Sequence, residues 1–223
     1  MASVASPTPT RYRRRRIPWR HPLRSIYRFQ SRLNQSTEFC ESRLEFSHLF
    51  WLEWVGGIQR YCTQPVTLEV RVGRRIRHYS ADVLMLLPDG HLVFREIKHS
   101  RQLRKPEVRD FLEAVRAACH ARGIGFEIVT EAEIDQTPLG ALRILYNYVH
   151  DAPPDRIFDA FAEGYEPGAQ TTLGDAFQRC QAIGRPKSDV AYWMFFNQIG
   201  WCGDDRLHAD MPLTLPKEQP HDG

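Results

Sequence analysis

Two short turn sequences, Gly73-Arg74 and Pro88-Asp89-Gly90, separate three strand-like segments in the first half of the chain. In the first segment every second residue from Val66 to Val72 is aliphatic, which is the pattern of a strand with one buried face. The second segment runs from about Ile76 to Leu87, and the third from His91 to His99. Because short turns join neighbouring antiparallel strands, this pattern predicts a β-meander.

The second turn also sets which residues of the last two strands face each other. If the turn is centred on Asp89, Asp82 and Glu96 are equally far from the centre and form a pair. Side chains directly opposite each other lie about 5 Å apart. Lys98 follows Glu96 by two positions and points to the same face. The register therefore predicts one patch that holds Asp82, Glu96 and Lys98.

Helical patterns flank the meander. Residues Glu38 to Val55 predict a helix that Ser36 or Thr37 caps and Gly56-Gly57 ends. Pro106 to Arg122 predicts a second helix, and Phe126 to Thr130 a short buried strand. The order of helix, meander, helix and strand predicts an α/β fold, a mixed sheet flanked by helices.

The second half of the chain is mainly helical. Residues from Pro138 to about Glu163 predict helix with a break at Asp151-Ala-Pro-Pro154, and a helix pair follows over Thr171 to Ile183 and Lys187 to Ile199. A strand-like stretch around 201–211 comes next, so the pattern predicts a winged-helix-like domain, with a plain helical cap as the alternative. The expected domains are a basic arm over 1–35, a core domain over 36–137, a helical domain over 138–215 and a tail over 216–223.

Charge is distributed unevenly along the chain. Nine arginines precede Glu38, the first acid, whereas all 27 acids lie from Glu38 onward. A basic segment on an acidic body predicts a polyanionic partner, most simply nucleic acid, with a solubilising tail as the alternative. The residues expected to bind DNA are Arg11, Arg13, Arg14, Arg15, Arg16, Arg20 and Arg24.

Several functional classes are disfavoured. The five cysteines show no zinc-ligand spacing and are expected to be reduced thiols of a cytoplasmic protein. Neither a signal peptide nor a membrane span is expected, because no apolar run is long enough. The histidines are scattered, which disfavours a zinc or HNH-type site. The absence of a Walker-type loop and of a Gly-x-Ser-x-Gly motif disfavours NTPases and serine hydrolases.

The patch of two acids and a lysine suits phosphodiester cleavage. That reaction needs an activated water and a positive charge near the phosphate, which carboxylate-bound Mg²⁺ and a nearby lysine can supply. Glu96-Ile97-Lys98 is the only Glu-x-Lys triplet, in a chain with four lysines among its 30 basic residues. The alternative is a cross-strand surface pair in which Lys98 neutralises two acids.

Four motifs together resemble those of a known nuclease family. Ser42-Arg-Leu-Glu45, Gln64-Pro65, Ser80-Ala-Asp82 and Glu96-Ile-Lys98, in this order, are similar to the motifs of PD-(D/E)xK nucleases, and more closely to those of TnsA, the endonuclease subunit of heteromeric transposases. The resemblance covers about residues 36–135, and more loosely the stretch to about 215. It implies a restriction-endonuclease-like fold.

The resemblance also implies roles for individual residues. Glu45, Asp82 and Glu96 would hold Mg²⁺, for which Mn²⁺ can substitute, and would form the catalytic set together with Lys98. The carbonyl of Ile97 would complete the metal shell, and Gln64 would be an accessory residue where the first strand opens. The proline that usually precedes the aspartate is replaced by Ala81, which is not a ligand position.

By the same resemblance, the function would be cleavage of double-stranded DNA at the 5′ ends of a transposon. The implied partners are the transposase subunit TnsB, which cuts the 3′ ends, and the AAA+ regulator TnsC. The implied location is the bacterial cytoplasm, at the nucleoid when bound to DNA. Two alternatives stay open: a restriction- or repair-type nuclease that acts alone, and a non-catalytic DNA-binding adaptor.

Overall fold

The computed structural model describes residues 25–65, 67–149 and 151–217. The chain divides into two compact units between Gln136 and Thr137. The seven arginines expected to bind DNA, and residues 218–223 of the expected tail, lie outside the described residues. None of the helices described here is both long enough and apolar enough to cross a membrane.

The first unit combines a mixed sheet with two hairpins and helices. Its described elements are β1 (Tyr27–Ser31), β2 (Ser36–Cys40), α1 (Arg43–Trp54), β3 (Arg60–Thr63), β4 (Thr67–Val72), β5 (Arg75–Ser80), β6 (Val83–Leu86), β7 (Leu92–Ile97), α2 (Ser100–Leu103), α3 (Pro106–His120), β8 (Gly125–Val129) and α4 (Glu131–Asp135). The main sheet has the order β3-β6-β7-β8. Only β7 and β8 are parallel; the other neighbours in this sheet are antiparallel. The expected mixed sheet with flanking helices is therefore present.

Strand β7 is buried along its whole length because both faces of the sheet are covered. On one face, the Cζ atom of Arg95 lies 4.6 Å from the centroid of the Trp51 ring of α1, and its Nη1 atom lies 3.3 Å from the Nε2 atom of His48. On the other face, Phe94 belongs to an apolar cluster that joins the sheet to α3 and to the β4–β5 hairpin. Phe94 is 1% exposed.

The predicted meander is wrong in one respect. The chain from Arg75 to Leu86 is not one strand: β5 pairs with β4 as a separate hairpin, and β6 pairs with β3 and β7. Strand β3, rather than the first predicted strand, lies beside β6 in the main sheet. The sequence pattern did not reveal β3, because its four residues do not alternate and the last three are all buried.

The predicted start of the first helix is also wrong. Residues Ser36–Cys40 form β2, which pairs with β1, and the helix begins at Arg43 after Ser42, whose hydroxyl accepts a hydrogen bond from the Glu45 amide at 3.1 Å. Glu38, expected in the first helical turn, is instead fully buried and accepts hydrogen bonds from the Thr63 amide and hydroxyl.

The last residues of the expected arm are part of this unit. Phe29 of β1 is 3% exposed and packs edge-on against Phe50 of α1, with ring centroids 5.0 Å apart. Ser31 donates a hydrogen bond to the buried Glu53 at 2.6 Å. Residues 27–31 therefore fold as part of the first unit.

The second unit packs four helices with a small sheet. Its described elements are α5 (Leu139–Tyr148), α6 (Asp155–Ala162), β9 (Gln170–Thr172), α7 (Leu173–Ala182), α8 (Lys187–Phe195), β10 (Gly200–Trp201) and β11 (Pro212–Thr214). The sheet order is β10-β11-β9, antiparallel throughout. Trp193 of α8 anchors the core against Phe158 and Phe161 of α6. The strand expected around 201–211 is replaced by two short strands on either side of residues 202–211.

Candidate metal and catalytic site

Asp82 and Glu96 are brought together by the register of β6 and β7. Val83 pairs with Arg95, and Leu84 with Phe94, so the next position along the ladder places Asp82 opposite Glu96. This is the register predicted from the turn centred on Asp89. The backbone of Asp82 is held from the other side by the Gln64 amide, which donates to the Asp82 carbonyl at 2.9 Å.

The side chain of Asp82 is oriented by the neighbouring strand. Its Oδ2 atom accepts a hydrogen bond from the Ile97 amide at 2.7 Å. Asp82 lies between β5 and β6, and this bond directs its carboxylate toward Ile97, the last residue of β7. The Ile97 amide thus contacts the site; that its carbonyl binds a metal stays a prediction.

Glu96 is engaged at both carboxylate oxygens. Its Oε1 atom lies 2.5 Å from the Nζ atom of Lys98, and its Oε2 atom accepts a hydrogen bond from the Tyr79 hydroxyl at 2.7 Å. The Glu96 side chain is 4% exposed, whereas that of Lys98 is 32% exposed. Lys98 therefore connects a buried carboxylate to the solvent side of the site.

Glu45 reaches the site from the first turn of α1. Its Oε2 atom accepts a hydrogen bond from the Glu41 amide at 2.9 Å, and Ser42 caps the helix three residues before it. The residue is buried, at 9% exposure. Besides burial, the charge of Glu96 contributes to raising the pKa of Glu45, and the charges of Glu96 and Glu45 contribute to raising the pKa of Asp82, so the three acids form one electrostatic group.

The pKa values of Asp82 and Glu45 are shifted as expected for carboxylates crowded in a buried site. Burial raises the pKa of Asp82 well above its ordinary value, and the charges of Glu96 and Glu45 raise it further, against the opposing Ile97 hydrogen bond. Burial is also the main cause that raises the pKa of Glu45. A positive ion at this place would relieve the repulsion.

Lys98 remains a cation at neutral pH. Burial alone would lower its pKa, but the attraction of Glu96, Asp82 and Glu45 outweighs burial and raises the pKa above its ordinary value. The site therefore contains three acidic groups and one permanent positive charge.

The donor set fits a hard divalent cation, because three carboxylates supply oxygen ligands, which Mg²⁺ prefers. The ligands are not preassembled, however: among the residues the structure describes, no group of three His, Cys, Asp or Glu side chains is arranged to hold a metal ion. The ion pair with Lys98 gives a physical reason, since it occupies the Glu96 oxygen that a metal would bind.

Two other residues at the site were not identified from the sequence. Tyr79 contacts Glu96, and Cys40, at the end of β2, is 1% exposed. Burial, followed by the charges of Glu45 and Asp82, raises the pKa of Cys40, so its thiol is protonated at neutral pH in the metal-free site. No spacing in the sequence indicates that Tyr79 or Cys40 lies near these acids, because their positions depend on how the β4–β5 hairpin and β2 pack.

The accessory residue Gln64 lies beside the site through its backbone. It follows β3 with a positive φ of 47° and is 5% exposed. Gln64 thus lies between β3 and β4, directly after the first strand of the main sheet and, with Pro65, before the strand that the sequence pattern predicts over Val66 to Val72. Its amide contact with the Asp82 carbonyl joins β3 to the residue before β6.

A group of buried acids with a lysine, at the ends of two central strands of a mixed sheet, is consistent with the class of nuclease folds. Residues 57–131 match the family model described as TnsA-like endonuclease N terminal. This match confirms, over residues 57–131, the resemblance to a TnsA-like endonuclease that the motifs indicate. The matched stretch includes Asp82, Glu96 and Lys98, whereas Glu45 precedes it. A search of curated proteins gave no significant match.

The domain match has direct functional consequences. A TnsA-like endonuclease domain implies nuclease activity on DNA, within transposition of the Tn7 type and with transposase partners.

Proposed function

We propose that this chain is a Mg²⁺-dependent DNA endonuclease that cuts the 5′ ends of a transposon together with a partner transposase. One observation carries the proposal: within a TnsA-like domain, the β6–β7 register sets Asp82 against Glu96, with Lys98 bound to Glu96. Glu45 joins this group electrostatically. The partners proposed are TnsB for the 3′ ends and the AAA+ regulator TnsC, and the location is the bacterial cytoplasm, at the nucleoid when bound to DNA.

The metal would be held by Glu45, Asp82, Glu96 and the Ile97 carbonyl, and Mn²⁺ would substitute for Mg²⁺. When bound, it would supply a water of lowered pKa and positive charge near the phosphate. The chain's own residues orient the site: the Ile97 amide holds Asp82 Oδ2, and the Glu41 amide holds Glu45 Oε2. These contacts set the direction of two carboxylates before DNA arrives.

Lys98 has the properties of a group that stabilises negative charge on the reacting phosphate. It is a cation, and about a third of its side chain is exposed, so its ammonium can exchange Glu96 for a phosphate oxygen. With Glu96 holding a divalent cation, the Lys98 ammonium would be free to face a phosphate oxygen of the DNA. The lysine thus acts twice, as a counter-ion in the metal-free site and as a phosphate ligand in the reaction.

The second unit we propose to be a winged-helix-like DNA-binding domain. The order of its elements supports this proposal. Along the chain, β9 precedes the helix pair α7–α8, and the antiparallel strands β10 and β11 follow the pair. In the sheet, β11 lies between β9 and β10. Most of α8 is buried, so its DNA contacts would come from its first turn, around the exposed Lys187. Lys187→Glu in the full chain should weaken DNA binding; unchanged affinity would favour a plain helical cap.

The nuclease proposal is tested by nicking of transposon-end DNA with purified protein, with and without the partner transposase, in Mg²⁺ and in EDTA. Asp82→Asn is expected to abolish nicking, whereas Asp89→Asn, at the exposed turn of the same hairpin, should retain it. Absence of nicking in every condition would favour the adaptor alternative. Nicking that needs no partner and cuts unrelated DNA equally well would favour a nuclease that acts alone.

A further inference from the structure

Tyr79 carries the one hydroxyl in a cluster of otherwise apolar side chains. It lies on β5 at 5% exposure, within the cluster that joins the main sheet, the β4–β5 hairpin and α3. Its ring is edge-on to Phe111 and Phe126, with centroids 6.0 Å and 6.1 Å away. This packing fixes the direction of the ring, so the position of its hydroxyl is set by the core.

The Tyr79 hydroxyl emerges from this cluster at Glu96. It donates a hydrogen bond to Oε2 of Glu96 at 2.7 Å, while Lys98 binds Oε1. A buried hydroxyl without a partner would cost free energy, and a phenylalanine would satisfy the packing alone. The hydroxyl therefore serves Glu96 rather than the core.

The two contacts on Glu96 differ in how they respond to a metal. The Lys98 ammonium sits on a flexible, partly exposed side chain and can leave. The Tyr79 hydroxyl sits on a ring held on two sides and cannot. Oε2 of Glu96 therefore has a fixed partner, whereas the partner of Oε1 can be exchanged.

We propose that Tyr79 is a positioning residue for metal binding, which rests on the metal site of the proposed function. By holding Oε2, it presents Oε1 of Glu96 as the atom that exchanges Lys98 for a divalent cation. Hydrogen bonds to ligating carboxylates typically account for a 10–100-fold difference in metal affinity. The β4–β5 hairpin thus contributes to the site although it lies outside the main sheet and carries none of the proposed ligands.

The chain offers a matched control for this idea. Tyr61 of β3 is 2% exposed and donates to the buried Glu53 at 2.7 Å, the same type of bond in the same unit. Glu53 belongs to the β1 side of α1, where it also accepts from Ser31 and from the Leu33 amide. Tyr61→Phe should therefore show what loss of a buried tyrosine–glutamate bond does to stability alone.

The test measures binding of Mn²⁺ alone to the full-length protein, by electron paramagnetic resonance, for wild type, Tyr79→Phe and Tyr61→Phe. Tyr79→Phe is expected to weaken binding about tenfold, whereas Tyr61→Phe binds as the wild type does, with both melting temperatures lowered to a similar extent. Nicking by Tyr79→Phe should recover as Mn²⁺ is raised. Replacement of Tyr79 by 4-aminophenylalanine, which keeps an N–H donor, should restore affinity.

The outcomes separate the two proposals. If Tyr79→Phe binds Mn²⁺ as tightly as wild type, or if Tyr61→Phe weakens binding as much, the positioning role is refuted while the metal site stands. If wild type binds Mn²⁺ but 4-aminophenylalanine gives no recovery, the hydrogen bond is not the cause and the role is again refuted. A wild type that binds no Mn²⁺ overturns the metal site itself.

Discussion

Replacement of Lys98 by methionine should reveal competition between the lysine and a metal for Glu96. The ion pair joins a side chain that is 4% exposed to one that is 32% exposed. Breaking a fully buried ion pair lowers stability by about 3–5 kcal/mol, and breaking an exposed pair lowers it by about 0.2–1 kcal/mol. Because the Lys98–Glu96 pair is half-buried, its loss should lower stability by about 2 kcal/mol. The Tyr79 bond still supports Glu96 in the variant, which keeps the loss at this intermediate value.

The same substitution should strengthen the response to metal. If Glu96 binds a metal as we propose, a divalent cation would have to displace Lys98 from Oε1 of Glu96 in wild type but not in Lys98→Met. Saturation at about 100 times Kd stabilises a protein by about 2.7 kcal/mol. Wild type would lose the ion pair, worth about 2 kcal/mol, when Mg²⁺ binds, whereas Lys98→Met has no such pair to lose. The variant should therefore gain up to about 2 kcal/mol more from Mg²⁺ than wild type gains.

Thermal unfolding of DNA-free protein, in EDTA and across a Mg²⁺ titration, measures both effects. In EDTA, Lys98→Met should melt about 4–8 °C below wild type, and the difference should shrink as Mg²⁺ rises. Lys105→Met, at an exposed position before α3, should stay within about 0.5 kcal/mol of wild type throughout. Equal stability of Lys98→Met and wild type in EDTA, or equal gains from Mg²⁺, would refute the competition.

Three further predictions follow from the site and the basic segment. Asp82→Asn should stabilise metal-free protein by about 1 kcal/mol at pH 8, and by progressively less toward pH 3. The reason is that the pKa of Asp82 is raised in the folded state, so ionisation above its ordinary value of 3.8 costs folding free energy; a gain that grows toward low pH in unfolding scans would contradict this sign. Ser42→Ala should lower stability by about 1 kcal/mol and weaken Mn²⁺ binding, because it removes the cap of the helix turn that carries Glu45. Ser42→Thr should retain both the stability and the Mn²⁺ affinity. Equal Mn²⁺ affinities of Ser42→Ala and wild type in binding titrations would show that the cap does not affect the site. If this segment contacts about six phosphates, the log DNA affinity of wild type should fall with log salt concentration at a slope of about −5. Deletion of residues 1–24, which leaves β1 intact, should make this slope shallower. An unchanged slope, measured by fluorescence anisotropy, would favour a solubilising role for this segment.

The part of the site that could be predicted depends on local geometry. A three-residue turn fixes the register of the hairpin it closes, so the pairing of Asp82 with Glu96 follows from Pro88-Asp89-Gly90 alone. Helix α3 was predicted closely for a similar reason, since Pro106 marks its first turn and Gly123 lies just past its end.

The parts that were missed depend on contacts between distant segments. Strands β1, β2 and β3 are only four or five residues long, and buried acids link them: Glu38 bonds to Thr63, and Glu53 to Ser31 and Tyr61. A buried glutamate with partners 22 to 25 residues away has the same sequence pattern as one in an exposed helix turn. The Tyr79–Glu96 bond was missed likewise, because it requires β5 to leave the main sheet.

We propose that this chain cuts one strand at each transposon end, using the group of Glu45, Asp82, Glu96 and Lys98. This claim is tested most directly by a strand-resolved cleavage assay on labelled transposon-end DNA, with the partner transposase, Mg²⁺ and either wild-type or Asp82→Asn protein. Wild type should give cuts at both the 5′ and 3′ ends, whereas Asp82→Asn should give 3′ nicks alone and joined products that retain the flanking DNA. Double-strand excision by Asp82→Asn protein would contradict the claim.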